Sequence, residues 1–384
     1  MAEFEESKEQ LDQEIESEVE PKITDDAISS DGEINSPFST KDIKVTNITL
    51  ALSSLISRLK HEEIDLNPDF QRNAMLWDRK KMSRLIESIL LKLPLPVFYF
   101  DVSDPDKWIV VDGLQRLSTL KRFIVDKNLR LFNLEFLTEL NNKNYEELDR
   151  VLKRVIDETQ VVTYQIEAQT PKDVRYSIFN RINTGGLSLN TQEIRQALNQ
   201  KGQAVGFLAR LCSSETFKRV VGISPKRMAD RELALRYIAF KFLNEKAITL
   251  TDMSSFLDKA MEALDKINDA EVLSGIDEKF QEDLEFSEVV FGENHKFSRA
   301  MVFEGSKKIL NRSLFDVITV CLGEVEDKEK LIFRKFTFLN NFESLLIDEK
   351  SDFSRAITEG TSSKNAIETR FSIMRDLIQD VLNG

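Results

Sequence analysis

Asp112, Gln115 and Arg116 stand together where an apolar run stops. The stretch "KWIVVDGLQRLSTLKRFIV" begins as a buried strand and ends as an amphipathic helix. A bland turn between the two needs only Gly113, so the three added polar groups ask for chemistry. The first N–H groups of a helix lack internal partners and carry partial positive charge. Gly113 allows close backbone approach or a positive φ. Arg116, in the first turn, carries a fork that binds an oxyanion in bidentate fashion. Together these groups outline a phosphate cradle. Asp112, at the carboxyl end of a strand, can hold Mg²⁺ or orient a water, and Gln115 can orient a water or a phosphate oxygen. The same spacing fits a plain structural role, with Asp112 capping the helix and Arg116 in a surface ion pair. Spacing alone does not choose between them.

Two further clusters carry polar groups that a core does not need. "NPDFQRNAMLWD", Asn67 to Asp78, repeats the Gln-Arg pair as Gln71-Arg72 beside Phe70 and Trp77. An aromatic ring beside an arginine stacks a base or packs a loop. In "FNRINTGGLSLNTQEIRQAL", Phe179 and Ile182 face a core. That leaves Asn180, Arg181 and Asn183 at a helix end, where Asn180 and Asn183 can meet a ligand. Gly185-Gly186 forms the turn, and Asn190 with Glu193 three residues on makes a capping box for the next helix.

Several machineries are excluded or demoted. There is no G-x-x-x-x-G-K-[ST], so no Walker-type phosphate loop. His61 and His295 are the only histidines, too few for a His-rich metal site, a Ser-His-Asp triad or a His-based nuclease finger. Asp277-Glu278-Lys279 and Asp348-Glu349-Lys350 have the look of metal-nuclease triplets. They fall in polar, helical stretches of a chain with 31% charged residues, where such triplets arise by chance.

The elements that must position these residues follow from periodicity. "ITLALSSLISRL" reads as a helix capped by Thr46 or Asn47, and "EEIDL" as a short strand. Met82, Leu85, Ile86, Ile89 and Leu90 mark one helical face. "PVFYFDV" and "KWIVV" make a hairpin over 96–111, followed by a helix over 114–126. "NYEELDRVLKRVIDE" is a helix and "VVTYQIE" a strand. Thr170 then caps a helix with proline at its first position. The rest of the chain is helical, including "ADRELALRYIAFKFL" and "NAIETRFSIMRDLIQDVL". The fold class is therefore α+β: a mixed α/β domain over 41–168, then an all-helical domain over 169–384.

The chain has 384 residues, 41% of them hydrophobic, with no apolar run of membrane-spanning length and no secretory apolar core. Cys212 and Cys321 make no disulfide framework. A soluble, cytoplasmic protein with no membrane partner is expected. The net charge of −13 is concentrated. Residues 1–36 hold 13 acids and 2 bases, a net of −11, which leaves a net of −2 on the other 348 residues. Segment 1–40 therefore reads as an acidic, disordered tail that keeps the chain in solution or mimics nucleic acid before a basic surface.

The three clusters, in this order, resemble the N-terminal domain family of the GmrSD-type, modification-dependent restriction endonucleases. The family pattern is P-x-[FY]-Q-R…W, then a strand ending in D-G-Q-Q-R-[LI]-x-T-L, then F-x-x-[IL]-N-x-x-G-x-x-L-x-x-x-E-[IL]-R. Here these read "PDFQRNAMLW", "VDGLQRLSTL" and "FNRINTGGLSLNTQEIRQAL". A weaker resemblance continues through "DRELALRYIAF" and "GTSSKNAIETR". It implies a ParB/sulfiredoxin-like core and a nucleoside triphosphate bound with Mg²⁺ or another divalent cation. Hydrolysis would license or regulate DNA cleavage in bacterial defence against phage. By position, Asp112, Gln115 and Arg116 would be catalytic or nucleotide-contacting, Asp112 holding the metal. Gln71, Arg72, Gly113, Asn180 and Asn183 would line the pocket. The partners implied are the nucleotide, DNA, an effector nuclease subunit and a second copy of the chain. Two departures stand out. Leu114 replaces the first glutamine of the motif, and the C-terminal half lacks the histidines of a His-based nuclease. Two other readings use the same residues. One is a DNA-binding or nicking protein with DNA phosphate in the pocket; the other is a non-catalytic partner-binding subunit.

Overall fold

The computed structural model describes residues 43–66, 77–182, 190–199, 202–243, 253–292, 297–299 and 309–384. The acidic segment 1–40, Gln71, Arg72, Asn183 and Gly185-Gly186 lie outside the described residues. The described residues fall into two compact units, 43–199 with Lys226–Met228 and 202–225 with 229–384.

The first unit is built on five strands: β1 (Val45–Ala51), β2 (Ile64–Asp65), β3 (Phe98–Asp101), β4 (Trp108–Asp112) and β5 (Gln160–Ile166). Their spatial order is β1-β5-β3-β4-β2. The β1/β5 and β3/β4 pairs are antiparallel, and β5/β3 and β4/β2 are parallel. The expected 96–111 hairpin is β3 and β4. The expected helix over "ITLALSSLISRL" is different: Val45–Ala51 is a strand, and the helix α1 begins at Leu52 and runs to Lys60. Val45, Thr46, Ile48 and Thr49 are β-branched and pair with β5 in register, Asn47 opposite Tyr164. The helical period begins only with Leu52, Leu55, Ile56 and Leu59, all buried.

One face of this sheet is covered by α1, α2 (Arg79–Leu90), α3 (Leu114–Leu120, opening into a π turn over Lys121–Val125) and α4 (Arg150–Glu158). Phe98 and Phe100 meet Leu55, Ile86, Leu117 and Phe123 there. Helix α4 is shorter than its sequence pattern, starting after the cap Asp149. Upstream, Asn144 and Glu147 close a turn on each other, each side chain accepting the other's backbone N–H at 2.8 and 3.1 Å. Such local bonds compete with the helix. The other face is closed by α5 (Lys172–Ile182) and α6 (Thr191–Leu198), whose Phe179 and Ile194 pack on Val111 and Ile166. The division between units therefore comes after α6. The Thr170 hydroxyl accepts from Lys44 N and donates to Lys44 O, tying the chain to the start of β1.

The second unit is helical throughout its described residues: α7 (Gln203–Ser213), α8 (Glu215–Val220), α9 (Ala229–Ile238), α10 (Met253–Asp265), α11 (Ala270–Phe291), α12 (Arg312–Gly323), α13 (Lys328–Phe333), α14 (Lys335–Ile347), α15 (Asp352–Ala356) and α16 (Lys364–Asn383). Helix α12 is buried on every side from Ser313 to Leu322, as expected of a central core helix. No helix among the described residues is long and apolar enough to cross a membrane.

Candidate functional site

Strand β4 delivers Asp112 to the sheet edge through a bulge. Phe100 pairs with Val110, but Tyr99 pairs with Asp112, so β4 has one residue more than β3 at this point. A bulge re-aims the side chains beyond it. Asp112 is thereby brought to the face shared by Tyr99, its partner across the strands. Tyr99 in turn stacks on Tyr164 of β5, with centroids 5.1 Å apart and rings 14° from parallel.

Gly113 is the N-cap of α3, with φ 107° and no side-chain cap. A β-carbon there would stand 2.5 Å from Phe98 Cδ1, so conformation and space both demand glycine. Asp112 therefore does not cap the helix. It pairs with Arg116 at 2.8 Å through Oδ2 and stays 44% exposed, while the arginine side chain is only 9% exposed. Arg116 also donates to Pro96 O and, at 3.1 Å, to Val97 O, and its guanidinium lies 4.4 Å from the Phe98 ring centroid. The ion pair is not a surface one. Arg116 locks the segment before β3 to α3 and holds one oxygen of Asp112. A phosphate clamp by this side chain would require it to leave these partners. Burial pulls its pKa below the ordinary arginine value, and Asp112 opposes that shift.

The Asp112 carboxylate makes no other hydrogen bond among the described residues, so its second oxygen is open to an incoming ligand. Burial pushes the Tyr99 phenol above its ordinary value, with Tyr164 and Asp112 adding to the effect. The phenol therefore keeps its proton, and stays a donor, across the neutral range. The Gln115 side-chain oxygen accepts from Trp77 N at 2.9 Å, which fastens the end of the Asn67–Asp78 cluster to α3. Leu114 packs partly buried against the core, the packing role its apolar side chain suggests.

The third cluster is held structurally around α6. Asn190 and Glu193 form the expected capping box, and Arg227 pairs with Glu193 at 3.0 Å. Arg195 is fully buried and donates to Gln192. Asn180 lies in the last turns of α5. Gln71, Arg72 and Asn183 fall outside the described residues. Sequence reading missed Tyr99 and Tyr164. The only signal was a polar aromatic at the odd position of "FYF" and another in "TYQ".

The helical unit has its own acid. Asp316 on α12 is fully buried and takes a two-point bond from Arg236 of α9, at 2.9 and 2.5 Å, and a third contact from Arg370 of α16 at 3.3 Å. Arg236 is the second arginine of "DRELALRYIAF", and Arg370 is the arginine of "GTSSKNAIETR".

A mixed sheet with an acid at a strand-to-helix junction, followed by a helical unit, defines an α+β protein with a half-open carboxylate site. Residues 52–199 match the family model described as GmrSD restriction endonuclease, N-terminal domain. The match spans all three motif clusters and ends where α6 ends. No curated protein and no solved structure matches the chain.

Proposed function

We propose that the sheet unit binds a nucleoside triphosphate with a divalent cation, hydrolyses it slowly, and couples that state to DNA engagement or cleavage in restriction of phage. The observation that carries this reading is Asp112: one carboxylate oxygen fixed by a buried arginine, the other open, beside the start of a helix. The family match supports the restriction context.

The residues fit a magnesium ion of a particular kind. Among the described residues no group of three His, Cys, Asp or Glu could cage a metal. Magnesium in phosphate chemistry commonly takes one or two carboxylates and completes its shell with water and substrate oxygens. Asp112 would hold it through the open oxygen; when bound, the ion would offset phosphate charge. Arg116 acts here as a positioning residue, fixing the Asp112 rotamer. The free N–H groups that start α3 face developing negative charge. The Tyr99–Tyr164 stack gives a flat wall on the same face as Asp112, and the Tyr99 phenol a donor.

Titration of a fluorescent nucleoside triphosphate into the purified chain, with and without Mg²⁺, tests the reading, alongside phosphate release. The expected results are Mg²⁺-dependent binding and slow release, both lost in Asp112→Ala. Absence of both in the wild-type chain would end it.

A further inference from the structure

A second, basic site lies on the sheet unit, lined by none of the Asp112 site's residues. Helix α2 opens with Arg79, Lys80 and Lys81, all exposed, and has no acid in its first turn. Cations at a helix N-terminus oppose the dipole there. Only the Asp78 cap, accepting from Lys81 N at 2.8 Å, offsets them. The chain accepts that unfavourable arrangement next to a surface cavity lined by Trp77, Arg79, Arg122 and Arg130 over Met82 and Leu129. Among the described residues no carboxylate lines it.

The arginines are incompletely used. Arg79 donates through Nε to Arg130 O at 2.9 Å and stacks over Phe132. Arg122 makes only long contacts, 3.4 Å to Asn128 and 3.6 Å to the Met82 sulfur. Neither has an ion-pair partner among the described residues, whereas Arg130 pairs with Glu147 at 3.0 Å. Two uncompensated guanidinium groups, a half-buried indole and two adjacent lysines form a strong local positive field on a body that is nearly neutral, net −2 over residues 37–384.

We propose that this cavity is a second anion site that takes the phosphodiester backbone of nucleic acid. Arg79 and Arg122 meet phosphates, Lys80 and Lys81 extend the track, and Trp77 offers an edge or face to a base. The Trp77 N–H bond to Gln115 connects the cavity to α3, the helix that starts at Gly113. The site takes its argument from charge and packing, independent of nucleotide turnover at Asp112.

Fluorescence anisotropy with a labelled mixed-sequence oligonucleotide, single-stranded and duplex, tests it. Arg79→Glu with Arg122→Glu is expected to weaken binding about tenfold or more and to flatten the log–log salt dependence by about two. Arg79→Lys with Arg122→Lys keeps the charge and should leave the salt dependence of binding unchanged, which guards against a folding artefact. With no nucleotide or Mg²⁺ present, charge reversal at Arg79 and Arg122 should weaken DNA binding whether or not the chain turns over nucleotide, so failure of the nucleotide reading and failure of this one are separable. Two results would overturn the proposal: no binding of either DNA form by the wild-type chain, or unchanged affinity on charge reversal.

Discussion

Asp112 and Asp316 are both held by arginine, and they differ in what is left over. Asp316 is sealed: its oxygens meet Arg236 from one side and Arg370 from another, inside the helical core. Asp112 is paired on one oxygen only and faces outward on the other. Arg370 donates besides to Ala356 O and Thr361 O, so it ties α15, α16 and α12 together. Arg116 does the same local work with Pro96 O and Val97 O, but for a strand end. The same chemical pair thus serves as an internal rivet in one unit and as a mount for an accessible carboxylate in the other. A buried network closed on all sides offers nothing to a ligand; a half-closed one offers an oriented acid.

The largest effect that would sharpen this contrast is on stability. Asp316→Ala removes the buried carboxylate that Arg236 and Arg370 share and should cost about 3–5 kcal/mol. The check is urea unfolding followed by circular dichroism; a loss under about 1 kcal/mol would break the comparison. Arg116→Ala comes next. It strands the Pro96 and Val97 carbonyls and uncovers Phe98, for an expected loss of about 2–3 kcal/mol by the same measurement.

Another buried acid, Glu87 on α2, is satisfied mainly by backbone. It accepts from Glu135 N, Phe136 N and Leu137 N at 2.7–3.1 Å and pairs with Arg84 at 3.1 Å. Burial pushes its pKa up, but these N–H groups and Arg84 outweigh that and hold it below the ordinary value of 4.5. The folded value is thus below the unfolded one. Its stabilising effect is complete above the unfolded value and is lost as pH falls through the folded one. Glu87→Gln should cost about 1–3 kcal/mol at neutral pH and flatten the fall in stability on acidification. An unchanged acid limb in thermal melts across that range would refute it. The smallest stability effect is expected at Asp112, where Asp112→Asn should cost about 1 kcal/mol or less, because its carboxylate is half-exposed to solvent.

Much of this was legible in the sequence for local reasons. The strand–Gly113–helix junction, the 96–111 hairpin and the Asn190–Glu193 capping box each depend on neighbours within a few residues. Arg116 was legible as an ion-pairing or oxyanion-binding group in the first turn of a helix, though not as the partner of Asp112. Its inward orientation was not, because Pro96 and Val97 reach Arg116 only through the bulged β3/β4 register. Tyr99 and Tyr164 meet through the parallel β3/β5 pairing, between strands far apart in the chain, which no local period reports. The β1 misreading has a similar origin. "ITLAL" suits helix or strand in isolation, and pairing with β5 decides it. Arg236, Asp316 and Arg370 come from three separate helices, and sequence periodicity marked their helices without marking their meeting point.

The contrast between the two acids converges on one measurement: Mg²⁺-dependent nucleoside triphosphate turnover by the wild-type chain and by Asp112→Asn, read beside their unfolding midpoints. The expected result is a fall in turnover of about a hundredfold or more with nearly unchanged stability. Equal turnover in the two proteins, at matched stability, would contradict a role for the open oxygen of Asp112.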